Sequence, residues 1–129
     1  MDLAKQCIDV GLFTNRREEM LEFWQKDVGL SFNHLAKMGG GIQQHRHDMN
    51  GSVFKLNHAR DPLPDELPSG YHELLIARKG ISKSRALTDP DGNRVTLIPP
   101  GEDGITGIGL KLGVRDPAAF HHFYGRVLG

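Results

Sequence analysis

The chain has 129 residues, 38% hydrophobic and 25% charged, with 16 Lys plus Arg balanced by 16 Asp plus Glu. That is the size of one compact domain, able to bury a core without disulfides or a structural metal. Zero formal charge argues against a general nucleic-acid binder, whose affinity rests on neutralising phosphates. The single cysteine, Cys7, has no partner for an internal disulfide, and the longest aliphatic run, Leu74 to Ala77, is far too short to span a bilayer. A cytoplasmic protein without nucleic-acid or membrane partners is therefore expected.

In chain order, Cys7 to Thr14 alternates as a strand, with Val10 and Leu12 on one side and Asp9, Gly11 and Phe13 on the other. Cys7 is expected to be a half-buried strand residue. A helix follows, with Asn15 as its N-cap, Glu18 three residues on, and Met20, Leu21, Trp24 and Val28 at helical spacing until Gly29. Gly39 to Gly41 allows a bend. Next come two polar strands, Ile42 to Asp48 and Ser52 to His58, joined through Asn50-Gly51, a pair that tolerates the positive φ of a tight hairpin turn. Ala59 to Gly70, with three prolines, reads as a surface loop. Strands are expected again at Tyr71 to Ala77, Ser84 to Thr88 and Arg94 to Ile98, the last two flanking the turn Asp89 to Asn93. The proline- and glycine-rich stretch from Pro99 to Gly104 cannot continue a strand.

An internal repeat organises the whole. Shifted by one hundred residues, Asp9 to Gly29 lies over Gly109 to Gly129, so that Leu12 meets Leu112, Phe23 meets Phe123, Trp24 meets Tyr124 and Gly29 meets Gly129. In the second copy Asp116 reads as an N-cap with Pro117 at the first helical position, and Phe120, Phe123, Tyr124 and Val127 form a stripe expected to be buried. The expected organisation is a first unit over residues 1–100, a linker over 101–107 and an incomplete second unit over 108–129. Stopping where the first copy turns toward its later strands, the chain reads as part of something longer or as a half that borrows strands from a partner. The strand at 108–114 is expected to be an unpaired edge.

With its strand-helix opening (Leu21 to Leu30), the echo of that opening (Ala118 to Gly129) and the turn with its final strand (Leu87 to Ile98), the chain resembles the vicinal oxygen chelate superfamily of glyoxalases, bleomycin-resistance proteins and extradiol dioxygenases. The resemblance implies an α+β fold: a βαβββ module of the glyoxalase/bleomycin-resistance type, followed by the first strand and helix of a second module, two modules enclosing a cup. In metal-using members the ligands come from first and last strands. By position these places fall on Asp9, Thr96 and Gly109, of which only Asp9 ligates well, whereas a catalytic divalent ion takes at least three protein ligands.

The histidine-rich strand supplies further candidates. His45 and His47 project to one face about 6.5–7 Å apart, a spacing suited to sharing a cation or an anion, and His58, His72 and Glu73 come from neighbouring strands. Arg46, Lys55 and Arg60 suit a carboxylate or phosphate. The many polar neighbours of this strand fit a solvated face equally well. The expected function is binding of a small organic molecule near Asp9, Thr96, His45 and His47, in a homodimer or with further modules of a longer chain. Two alternatives stand beside it: a lyase or extradiol-type dioxygenase using a divalent metal whose other ligands lie outside the chain, and a non-catalytic module of a larger protein.

Overall fold

A computed structural model of the chain describes residues 6–65 and 70–127. Two four-stranded sheets are built from β1 (Val10–Thr14), β2 (Ser31–Gly39), β3 (Ile42–Met49), β4 (Ser52–Ala59), β5 (Tyr71–Ala77), β6 (Arg85–Thr88), β7 (Arg94–Ile98) and β8 (Ile108–Leu112). The first sheet has the order β1-β4-β3-β2, with β1 parallel to β4 and the others antiparallel. Between β1 and β2 runs the short helix α1 (Arg17–Glu22), continued by a π-helical stretch over Phe23–Asp27. This is a βαβββ module of the expected type, and the fold is α+β.

The second sheet, β6-β7-β5-β8, sets β5 parallel to β7 and antiparallel to β8. The strands of residues 71–98 thus pair among themselves and with β8, not with the sheet of the first module. The strand near residue 108 is an edge: one side of β8 bonds to β5, with Gly113 N–H continuing the contact to the Gly70 carbonyl at 2.7 Å, and its other side has no strand partner among the described residues. After β8 comes α2 (Pro117–His121), extended by a π-helical stretch over His122–Val127, so both ends of the repeat fold as strand, short helix and wider turn.

Local chemistry explains the turns. Asn50 (φ 52°) and Gly51 (φ 88°) close the β3-β4 hairpin in the left-handed region, which Asn and Gly tolerate. Asp116 caps α2 by accepting from Ala119 N–H at 3.1 Å, with Pro117 following. At α1 the expectation fails: Arg16 stands at the N-cap without a side-chain bond, Thr14 Oγ1 accepts from Arg16 N–H at 2.9 Å, and the Asn15 amide instead donates to the Ala59 and Asp61 carbonyls. Asn15 thereby ties the start of α1 to the chain leaving β4. Cys7 is exposed in the bend before β1 rather than half-buried in it.

One core joins the two sheets through α1. Met20, Trp24, Val28, Phe54, Leu56, Leu74, Ile76 and Val95 are all buried within it. Trp24 stacks on Phe54 with ring centroids 4.1 Å apart, and Phe23 meets Trp24 edge-on at 5.5 Å. Burial of each such side chain is worth about 1.5–3 kcal/mol, so this cluster dominates the energetics. A smaller cluster of Leu75, Ala77 and Ile98, with Ile105 against it, occupies the opposite face of the second sheet. The stripe on α2 is not buried: Phe123 and Tyr124 are 48% and 54% exposed. The side chain of Val127, like residues 128–129 and the loop positions 66–69, lies outside the described residues.

Candidate functional site

Strand register sorts the candidates by face. Val10 pairs with Phe54 and Leu12 with Leu56, while His47 and His45 pair with the same Phe54 and Leu56 from the other side. Neighbours in register share a face, so His45 and His47 stand on the face covered by α1 and its π-helical continuation. Gly11, Phe13, Gln44, Arg46, Lys55 and Asn57 alternate with them and occupy the opposite face.

On that opposite face is a connected polar set. Asp9, just before β1, accepts from Val53 N–H at 2.9 Å and faces Lys55 Nζ at 3.1 Å. Arg46 donates to Gln44 Oε1 at 2.9 Å, the Gln44 amide donates to Asn57 Oδ1 at 2.9 Å, and Asn57 reaches the Leu12 carbonyl at 3.4 Å. Gly11 matters here, because a Cβ on it would come within 3.4 Å of Asn57 Nδ2. Phe13 adds an exposed aromatic ring to the same face. The arrangement combines one carboxylate, two cations, two amides and an apolar ring, a set able to orient a small organic molecule.

Thr96 belongs to the other sheet. It pairs with Leu75 and Ala86, and its neighbours Leu75 and Ile98 form the small cluster turned away from the main core. Asp9 and Thr96 therefore both point away from the main core, each from its own sheet, and His45 and His47 do not join them. Gly109 pairs with Leu75 and supplies no ligating side chain; a Cβ there would meet Ile105 Cδ1 at 2.7 Å and require that side chain to shift.

His47 is fully buried. Gln25 Nε2 donates to its Nε2 at 3.1 Å and its Nδ1–H points at the Phe54 carbonyl at 3.4 Å, the pattern of a neutral imidazole. Burial holds its pKa below the ordinary histidine value against the opposing pull of hydrogen bonds to the Phe54 and His45 backbone and of Asp48. His45 is lowered too, first by burial and then by the positive field of Arg17, His47 and His58; its Nε2 is buried with no hydrogen-bond partner among the described residues. As for the divalent ion used by some proteins of the resembled superfamily, no group of three His, Cys, Asp or Glu side chains converges among the described residues. Asp9 is occupied by Lys55 and Val53, and both ring nitrogens of His47 are engaged. The donors present do not fit that ion.

One structural residue escaped the sequence reading. Asp89, 4% exposed, receives Asp91 N–H, Asn93 N–H and the Asn93 amide at 2.8–3.0 Å, and also accepts from the Trp24 indole N–H at 3.2 Å. The turn between β6 and β7 is thus anchored to the π-helical continuation of α1 by a buried carboxylate whose hydrogen bonds are well supplied. The signal was an Asp opening a turn, which betrays the local bonds and nothing of the distant tryptophan. Tyr71 lies nearby, its hydroxyl donating to the Arg94 carbonyl at 2.6 Å, and burial together with the Asp89 charge pushes its pKa up to about 12.

No helix among the described residues is long and apolar enough to cross a membrane. No family model matches the sequence, and no curated protein matches it either. Solved structures do. A protein described as SMU.1112c is similar with a TM-score of 0.56 at 12% identity, over 74% of this chain and 99% of its own. Lactoylglutathione lyase from Agrobacterium tumefaciens matches at 0.53 and 14% identity, over 77% and 96% of the respective chains. TnmS3, an antibiotic binding protein from Streptomyces sp. CB03234, matches at 0.53 and 17% identity, over 77% and 99%. With a βαβββ module, a second sheet joined to it through α1, and neighbours that include a lactoylglutathione lyase and an antibiotic binder, the chain has the vicinal oxygen chelate fold.

Proposed function

We propose that the protein binds a small organic molecule in a cup-shaped cavity built on the face of the first sheet turned away from α1. The observation that carries the reading is the connected polar set beside an exposed aromatic ring: Asp9 with Lys55, Arg46 with Gln44 and Asn57, and Phe13. An antibiotic binder among the structural neighbours supports it. Asp9 and Lys55 contact the ligand directly, whereas Thr96, on the outward face of the second sheet, is not part of this set. His45 and His47 act from behind, as the packed underside of the strand that carries Gln44 and Arg46.

The cup is completed by a second copy of the chain. This accounts for the exposure of Leu112, Val114, Phe123 and Tyr124, apolar side chains after or within β8 and along α2. Sedimentation equilibrium at micromolar concentration is expected to give a dimer that Phe123→Asp dissociates; a monomer removes this part of the proposal.

A fragment screen followed by amide correlation spectra tests the site. Aromatic acids and phenols are expected to shift the amides of residues 9–13, 44–46 and 55–57, and Lys55→Ala is expected to weaken that binding roughly 10-fold, the loss of one charge-assisted contact. Saturable shifts confined to other regions, or none with any aromatic fragment, overturn the reading.

A further inference from the structure

The face of the first sheet that carries α1 has an open cavity at its far end, outside the site just proposed. About 440 Å³ in volume, it is lined by Arg17, Lys37, Gly39, Gly41, Ile42, Gln43, His58 and Arg60. Its basic groups come from separate elements. Arg17 opens α1, Lys37 is on β2, His58 is on β4 and Arg60 follows β4. Register explains the convergence, because Lys37 pairs with Gln43 and Gln43 with His58, placing the three side by side on one face. The glycine turn completes it: a Cβ at Gly41 would sit 3.3 Å from the Arg60 guanidinium, so a bare backbone there lets that side chain lie over the turn.

Two acids accompany the cations. Glu18 lies 2.9 Å from the Arg17 guanidinium and Asp61 lies 3.2 Å from that of Arg60, both pairs exposed. For Lys37 and His58 no ion pair is present among the described residues. The two guanidinium groups already hold monocarboxylates, so an incoming carboxylate gains little by replacing them. A ligand of higher charge with three acceptor oxygens gains more, taking both forks and Lys37 at once while the two exposed acids turn to water. The volume exceeds that of a bare anion and lies within the range of small-molecule pockets, and Ile42 supplies an apolar wall.

We propose that this cavity is a second binding site of the protein, taking the phosphate group of a small organic phosphate between Arg17, Lys37 and Arg60. It shares no residue with the Asp9 face and stands whether or not that face binds a ligand.

The test titrates the full chain with phenyl phosphate, inorganic phosphate and acetate, read by amide correlation spectra. Phenyl phosphate is expected to give saturable shifts at Gly39, Gly41, Gln43 and His58 with millimolar or tighter affinity, a binding free energy of about −4 kcal/mol or better. Inorganic phosphate is expected to shift the same amides more weakly, and acetate to leave them in place. Arg17→Gln combined with Arg60→Gln is expected to weaken phenyl phosphate at least roughly 10-fold, with Lys37→Gln alone giving a smaller loss. These side chains are on the surface, and far-UV circular dichroism of each variant reports that the fold is retained. Absence of saturable shifts at millimolar phenyl phosphate, equal response to acetate, or undiminished binding in the folded double variant overturns the proposal.

Discussion

The two strand-helix units that begin and end the chain carry aromatic pairs at matching positions, yet those pairs have opposite fates. Phe23 and Trp24 are 7% and 0% exposed, whereas Phe123 and Tyr124 are 48% and 54% exposed. Both units have the same local form, a strand followed by a short helix that widens into π-helical turns. What differs is the company each keeps. β1 lies beside β4, so the helix after it rests on a sheet that presents Phe54 and Leu56, and the second sheet closes over it with Leu74, Ile76 and Val95. Among the described residues β8 is an outer strand bonded to β5 alone, and no further sheet lies under its helix. An apolar stripe therefore marks a surface that can be covered, and the strands that follow decide whether the same chain covers it.

The sharpest way to break this contrast is truncation of the paired aromatics. Trp24→Ala is expected to cost about 3–5 kcal/mol in chemical denaturation, the range for removing a large buried aromatic, while Tyr124→Ala in the monomeric background of Phe123→Asp changes stability by less than about 0.5 kcal/mol. Equal losses would mean that α2 is part of the core. A smaller but still large difference is expected between the two aspartates that organise these regions. Asp89→Ala removes the acceptor of Trp24 and of the β6-β7 turn and is expected to cost about 2–3 kcal/mol. Asp116→Ala removes only the cap of α2, and is expected to speed amide exchange in residues 117–121 without shifting the global midpoint.

The smallest effect is the most diagnostic of the first unit. Burial lowers the pKa of His47 in the folded state, and of His45 beside it, so the unfolded chain binds protons more readily than the folded one. Their contribution is fully present above the unfolded histidine value of about 6.5 and is progressively lost as pH falls below it toward the lowered folded values. Urea denaturation between about pH 7.5 and 5 is expected to show stability falling with acidification, with a shallower slope in His47→Gln. An unchanged slope in that variant would mean that His47 titrates alike folded and unfolded.

Much of the fold was legible because it is written locally. Asn50-Gly51, Asp89 to Asn93 and Asp116-Pro117 each impose their own turn or cap, and the spacing of Met20, Trp24 and Val28 marks the buried side of α1. β2 was not foreseen, since Ser31–Gly39 is an exposed edge strand whose side chains alternate in no clean pattern and whose pairing depends on β3. Which strands share a sheet was also beyond local reading, because β5 to β7 find their partners among themselves and β8. The same limit governs the candidate site. Alternation shows that His45 and His47 share a face, but only the pairing of β3 with β4 reveals that Phe54 and Leu56 are on it and that Asp9 is not. Arg17 and Lys37 stand 20 residues apart in sequence, and nothing in their spacing brings them to one basin.

The contact between Trp24, Phe54 and Asp89 makes the chain its own optical gauge. It contains a single tryptophan, so every photon of indole emission comes from the spot where the helix, the first sheet and the loop of the second sheet meet. Any event that pries the halves apart, whether heat, acid or a guest wedged between them, must first disturb that chromophore, and its colour and brightness track their separation without a label.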